Sequence, residues 1–162
     1  MKKIIFLFLI FSAVVFAKWE AGTSYTTDGD PLTTFITYDL ANQSSYIGIG
    51  VNVDYDFSVI GIRHYQIKEG DNSIALIVTD NDGSDITCRF HEDDIKDYHV
   101  NMKSGRSSVL TKMLYNGKSA VLINTDTDET LAKFDLSGIK QIMQKHVGSS
   151  YWYKYKLNSI YD

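Results

Sequence analysis

The chain predicts an α+β fold, mainly antiparallel β in a sandwich-like or curved sheet, with two short late helices. Three observations predict it. Hydrophobic residues alternate with period two through most of residues 35–102, the spacing that puts every second side chain on one face of a strand. Short turns rich in Asp, Asn and Gly, such as KEGDN and DNDGS, join the segments and leave no room for the crossovers that parallel strands need. The period becomes helical only at 104–117 and again after Ser137.

FITYDL (35–40) alternates weakly, through Ile36, Tyr38 and Leu40. YIGIGVNV (46–53) alternates strongly and places Ile47, Ile49, Val51 and Val53 on one face. FSVIGIRHYQI (57–67) is apolar on both faces before opening to Arg63, His64 and Gln66. SIALIVT (73–79) reads as a strand covered on both sides, and DNDGS turns it into DITCRF, so 73–90 predicts a hairpin. Cys88 then faces the core with Ile86 and Phe90, as a free cysteine behaving like a small hydrophobe. In YHVNM (98–102), Tyr98, Val100 and Met102 point inward.

In 104–117, Leu110, Met113 and Leu114 fall at helical spacing, with Ser107 or Ser108 as cap and Asn116-Gly117 as stop. Strands follow at 119–125 and 130–136, joined by the acidic turn DTDE. FDLSG (134–138) then leads into a helix buried through Ile139, Ile142, Met143 and Val147 and stopped at Gly148. Ser137 sits where an N-cap belongs; loss of such a cap costs about 1 kcal/mol. Asp135 lies near the positive end of the helix, and Lys145 and His146 near the negative end.

The N-terminus has the layout of a cleaved secretory signal. Lys2 and Lys3 precede an apolar run from Ile4 to Phe16, and Val15 and Ala17 stand at −3 and −1 of a cut before Lys18. The run has 13 residues, short of the roughly 20 that span a bilayer. The expectation is residues 1–17 as signal peptide and 18–162 as one β-rich domain, periplasmic or secreted, with no stable membrane insertion after cleavage. That domain carries 14 basic against 20 acidic residues, a net −6. With no basic stripe, like-charge repulsion argues against nucleic acid.

The chemistry-bearing residues form no recognisable catalytic pattern. There is no Gly-x-Ser-x-Gly elbow and no His-Glu-x-x-His. The single cysteine has no partner for a disulfide. CRFHEDDIKDYH holds Cys88, His91, Glu92 and His99, but their spacing fits no closed zinc site. The turns TTDGDP, TDNDGSD and TDTDET offer alternate acids. Counted from Asp80, however, glycine falls at position four and His91 at position twelve, against six and a glutamate at twelve in an EF-hand loop. They read as hairpin turns. Neither cofactor nor metal is expected.

Two features suggest a binding surface. Arg63, beside His64, stands at the polar end of a strand. The tail YWYKYKLNSIYD holds Tyr151, Trp152, Tyr153 and Tyr155, types that stack on sugars or anchor protein interfaces. The tail reads equally as an edge strand whose lysines discourage aggregation.

The helix, strand, acidic turn, strand and FDLSG-led helix of 107–147 resemble the C-terminal part of the VasI-like accessory proteins of type VI secretion. Trp19 and Arg63 match that family's early tryptophan and middle-strand arginine. Its usual pair of cysteines is missing, since Cys88 stands alone. The resemblance implies a β-rich exported domain of accessory function. The expected function is therefore a non-enzymatic periplasmic binding or inhibitor module acting on a protein or envelope component. Its alternatives are an envelope hydrolase with a site near His64, Arg63 or His99, and a phage or mobile-element envelope protein that blocks lysis or superinfection.

Overall fold

The computed structural model describes residues 19–102 and 104–148. In chain order the strands are β1 (Glu20–Tyr25), β2 (Pro31–Tyr38), β3 (Tyr46–Asn52), β4 (Phe57–Arg63), β5 (Ile74–Asp80), β6 (Asp85–Arg89), β7 (Ile95–Lys96) and β8 (His99–Met102). Helix α1 (Ser104–Asn116), β9 (Gly117–Asn124), β10 (Glu129–Asp135) and α2 (Ile139–Val147) follow. They form a six-stranded sheet, β1-β2-β3-β4-β8-β7, and a four-stranded sheet, β10-β9-β5-β6. Every pairing is antiparallel, so the predicted class is the observed one.

The alternation read from the sequence builds one shared core. On the inner face of the large sheet, Ile47 pairs with Ile62 and Ile49 with Ile60, while Val100 and Met102 continue the layer on β8. The small sheet answers with Ile74, Leu76 and Val78 from β5, Ala120 and Leu122 from β9, and Ala132 and Phe134 from β10. All belong to one buried cluster with Leu110, Met113 and Leu114 of α1 and Ile139, Met143 and Val147 of α2. Each fully buried aliphatic side chain contributes about 1.5–3 kcal/mol. Helix α1 lies close on β4 through buried hydroxyls: Ser58 Oγ is 2.8 Å from Thr111 Oγ1, and Ser107 Oγ donates to the Ser58 carbonyl. Arg106 near the start of α1 pairs with Asp94 and donates to the Arg89 carbonyl, fastening the helix to the end of β6.

Several sequence expectations are corrected. Within FITYDL the buried strand residues are Phe35 and Thr37, while Leu40 is 58% exposed, so Ile36, Tyr38 and Leu40 belong to the opposite face. Register decides this: Phe35 pairs with Ile49, whose side is already inner. Val53 leaves its stripe by entering the turn after β3. Tyr98 also points outward. Asp97 and Tyr98 form the two-residue loop between β7 and β8, with φ of 46° and 68°, the primed-turn geometry that matches strand twist. Cys88 and Ile86 face the core but are only half-buried, because β6 is an edge strand. The outer face of β5 is likewise covered in part, with Ala75 buried and Ile77 half-buried. Strands β1 and β7 were not read from the sequence.

Both expected serine caps are corrected. Helix α1 begins at Ser104, so Ser107 lies inside it as a core contact rather than a cap, and Ser108 is also internal. At α2 the N-cap position is Gly138 in the left-handed region, φ 87°, with no side-chain cap bond. Asp135 does the local work, its Oδ1 accepting from the Ser137 amide at 2.8 Å. Gly148 does end α2, its amide bonding the Gln144 carbonyl.

This joint generates a prediction in two halves. Ser137→Ala should leave stability within about 0.5 kcal/mol, whereas Asp135→Ala should lower it by about 1 kcal/mol through loss of the turn bond. Urea unfolding of the two variants checks the order, and the reverse order would restore Ser137 as the cap.

Candidate functional site

Arg63 ends β4 on the outer face of the large sheet, opposite the core. Tyr38 pairs with Tyr46, Tyr46 with Arg63, Arg63 with His99, and His99 with Lys96. Direct pairing across five strands thus makes one row, because residues facing each other across a ladder share a face. At about 4.8 Å per strand the row is roughly 19 Å long. Arg63 and Lys96 are exposed; the three rings are half-buried. The Tyr38 and Tyr46 ring centroids lie 6.4 Å apart, as do those of Tyr46 and His99, although β4 runs between the latter pair. Those two rings lean toward each other over the intervening strand.

The next row holds Glu20, Ile36, Gly48, Gly61 and Asn101, and the one beyond holds Gly22, Thr34, Gly50 and Val59. The glycines leave a low strip beside the aromatic and cationic row. Charge is polarised along the strands. Arg63, Lys96 and His99 stand at one end, with Asp97 in the adjoining loop and Glu20 on the β1 edge; the turns carrying Asp28, Asp30, Asp54 and Asp56 stand at the other. The helices and the small sheet approach from the inner side, as the Ser58 contacts to α1 and the Phe35 ring contact with His146 of α2 show. Of the sequence candidates, Arg63 and His99 fall on this surface, His99 as a candidate for a hydrolase site; Tyr151, Trp152, Tyr153 and Tyr155 lie outside the described residues. The sequence does not connect Tyr38, Tyr46 and Lys96 with it. The signal that could have found them is the register that aligns FITY, YIGIG and GIR.

His64 belongs to the other face. It is buried at the end of β4, and Asp39, Thr37 and Ser45 are buried at the same end of the sheet. Its Nδ1 accepts from the Gln66 amide at 3.2 Å, and its ring also bonds the backbone of Leu131. Leu131 sits at the register shift in β10 between Thr130 and Ala132, and such a bulge releases backbone groups from the ladder. Nearby, Asp39 Oδ1 accepts from the Lys133 amide at 2.8 Å, and the Leu40 amide donates to the Lys133 carbonyl at 2.9 Å. Nδ1 of His64 is therefore taken by a backbone amide rather than by a carboxylate. A catalytic base needs one nitrogen free for the nucleophile and the other bonded to its orienting acid. This histidine is a structural tie between the sheets.

The remaining candidates separate. His91 precedes the 3-10 turn at Glu92–Asp94, and His146 contacts Phe35 edge-on. Among the described residues no group of three or more His, Cys, Asp or Glu side chains could hold a metal ion. Leu136, Ser137 and Gly138 of FDLSG line a cavity of about 220 Å³ with Asn81, Tyr115 and Lys140; the Lys140 ammonium lies 5.5 Å from the Tyr115 ring centre. Among the described residues no helix is long and apolar enough to cross a membrane. Comparison with known proteins gives no family model, curated protein or solved structure that matches the chain.

Burial lowers the pKa of His64 from its ordinary 6.5, opposed by Asp39, the Leu131 backbone bond and Glu129. The folded state then binds fewer protons than the unfolded chain as pH drops past 6.5. Stability is full above that pH and declines as pH falls toward the folded pKa. Melting temperature measured from pH 8 to 5 should fall through this window in the native protein. It should fall less in His64→Gln, which keeps a donor for Leu131. Identical profiles would remove His64 as the source.

Proposed function

We propose that the protein is an exported binding module that acts in the periplasm or outside the cell on a protein or envelope component, without catalysis. One observation carries this reading: the outer face of the six-stranded sheet presents a five-strand row of tyrosines, histidine and cations. Aromatic and arginine side chains held on a rigid sheet are favoured binding anchors, since little side-chain freedom remains to be lost. The backbone amide on His64 Nδ1, where a catalytic base would hold its orienting acid, supports binding over hydrolysis at that residue. Kinship with VasI-like accessory proteins is part of the proposal, supported by the order α1, β9, acidic turn, β10, α2. The lone Cys88 argues that any such kinship is one of architecture rather than of disulfide chemistry.

Two measurements test it. Protein recovered from a periplasmic or secreted fraction should begin at Lys18, and a cytoplasmic full-length chain would contradict export. Purified envelope material should retain the mature protein, and Arg63→Glu combined with Tyr46→Ala should weaken retention at least about tenfold. Unchanged retention by that variant would remove the outer face from the function.

A further inference from the structure

Resting on the binding-module reading, we infer that the outer face of the large sheet is a site for a carboxylate-bearing polysaccharide, a polymer containing uronic acids. Charge is the first reason. In a chain of net charge −4, Arg63 and Lys96 are exposed in one cross-strand row; Glu20 on β1 and Asp97 in the adjoining loop flank it, and the acidic turns of this sheet gather at its far end. An anion is attracted to the row and repelled from the opposite end. A guanidinium can grip a carboxylate through two parallel bonds.

The rings supply the second reason. Tyr38, Tyr46 and His99 are joined at 6.4 Å spacings into an accessible strip with polar edges. Such amphipathic rings can meet the C–H face of a sugar and still hydrogen-bond its hydroxyls.

Gly48 and Gly61 supply the third. They pair directly in the row beside the rings. A Cβ at Gly61 would meet only Asn101 Oδ1, at 3.9 Å; at Gly48 the nearest atom would be 3.7 Å away, and neither residue has a left-handed φ. By contrast, a Cβ at Gly50 would come within 2.9 Å of Val59, and one at Gly117 within 2.6 Å of Leu136. Internal packing therefore requires Gly50 and Gly117 but not the Gly48–Gly61 pair. Glycine weakens a strand, and where packing does not call for it, it marks a close approach by another group. Here the pair makes a floor, walled by Tyr46 and Arg63 on one side and by Val59 and Leu32 on the other, with Asn101 at one end.

A peptide added to a sheet uses main-chain bonds at an edge, which a face does not offer. An elongated sugar chain with periodic carboxylates satisfies the cations, the rings and the low floor together.

Titration calorimetry on the mature chain tests the inference with polygalacturonate, the same polymer after carboxyl reduction, and polyglutamate. Polygalacturonate should bind about tenfold or more tightly than either control. Arg63→Gln and Gly61→Val should each weaken it about tenfold, while far-ultraviolet dichroism and melting show both variants folded. Equal binding of the reduced polymer or of polyglutamate overturns the inference, as does binding indifferent to both substitutions. If envelope material is retained through Arg63 but polygalacturonate does not bind, the sugar inference falls and the binding-module reading stands. If neither is bound, both fall.

Discussion

The closure of the two sheets at one corner is the constraint on which the rest depends. Strand β10 is the edge of the small sheet, and an edge strand presents unpaired backbone groups. At Lys133 both are occupied: the amide by Asp39 Oδ1 and the carbonyl by the Leu40 amide. Two residues away, at the irregularity in β10, the Leu131 backbone bonds the His64 ring. The end of β2 and the end of β4 thus hold β10 from one side. Asp39 and His64 are buried at the corner, so their bonds satisfy groups that would otherwise be costly to desolvate, although Thr37 Oγ1 and Ser45 Oγ beside them are buried without a partner among the described residues.

With that corner closed, the apolar faces of both sheets meet α1 and α2 in a single core. All of the large sheet's packing partners described above lie on one side of it. On its other side the described residues present rings and cations at one end and buried Leu32, Gly50 and Asn52 at the other. Fold and proposed function are therefore two consequences of one arrangement. The same division separates neighbours in sequence: His64 ties the sheets together inside, and Arg63, one residue earlier, faces out.

Strands whose two faces differ in polarity were legible in the sequence. Ile47, Ile49 and Val51 read correctly because glycines alternate with them, and Leu110, Met113 and Leu114 because helical spacing admits no second solution. FITYDL misled because both of its faces are bulky: Phe35 and Ile36 are equally apolar, and only pairing with Ile49 decides between them. Tyr98 misled because alternation does not reveal a left-handed turn residue. Ser137 has the right type and place for a cap, yet the backbone turns through Gly138 and is held by Asp135. The candidate surface was legible only at Arg63 and, as a hydrolase candidate, at His99. Its other members come from three separate segments, and cross-strand register is a tertiary property.

Hydrogen exchange at the Lys133 and Leu40 amides tests the closed corner most directly, since these protons lie in the contact between sheets. If the corner holds the fold together, both exchange only on global unfolding, at the rate of Leu76 and Leu122 in the central strands. Exchange as fast as that of Gly70 in an exposed turn, with Leu76 and Leu122 still protected, would show β10 fraying as a free edge. It would contradict the account.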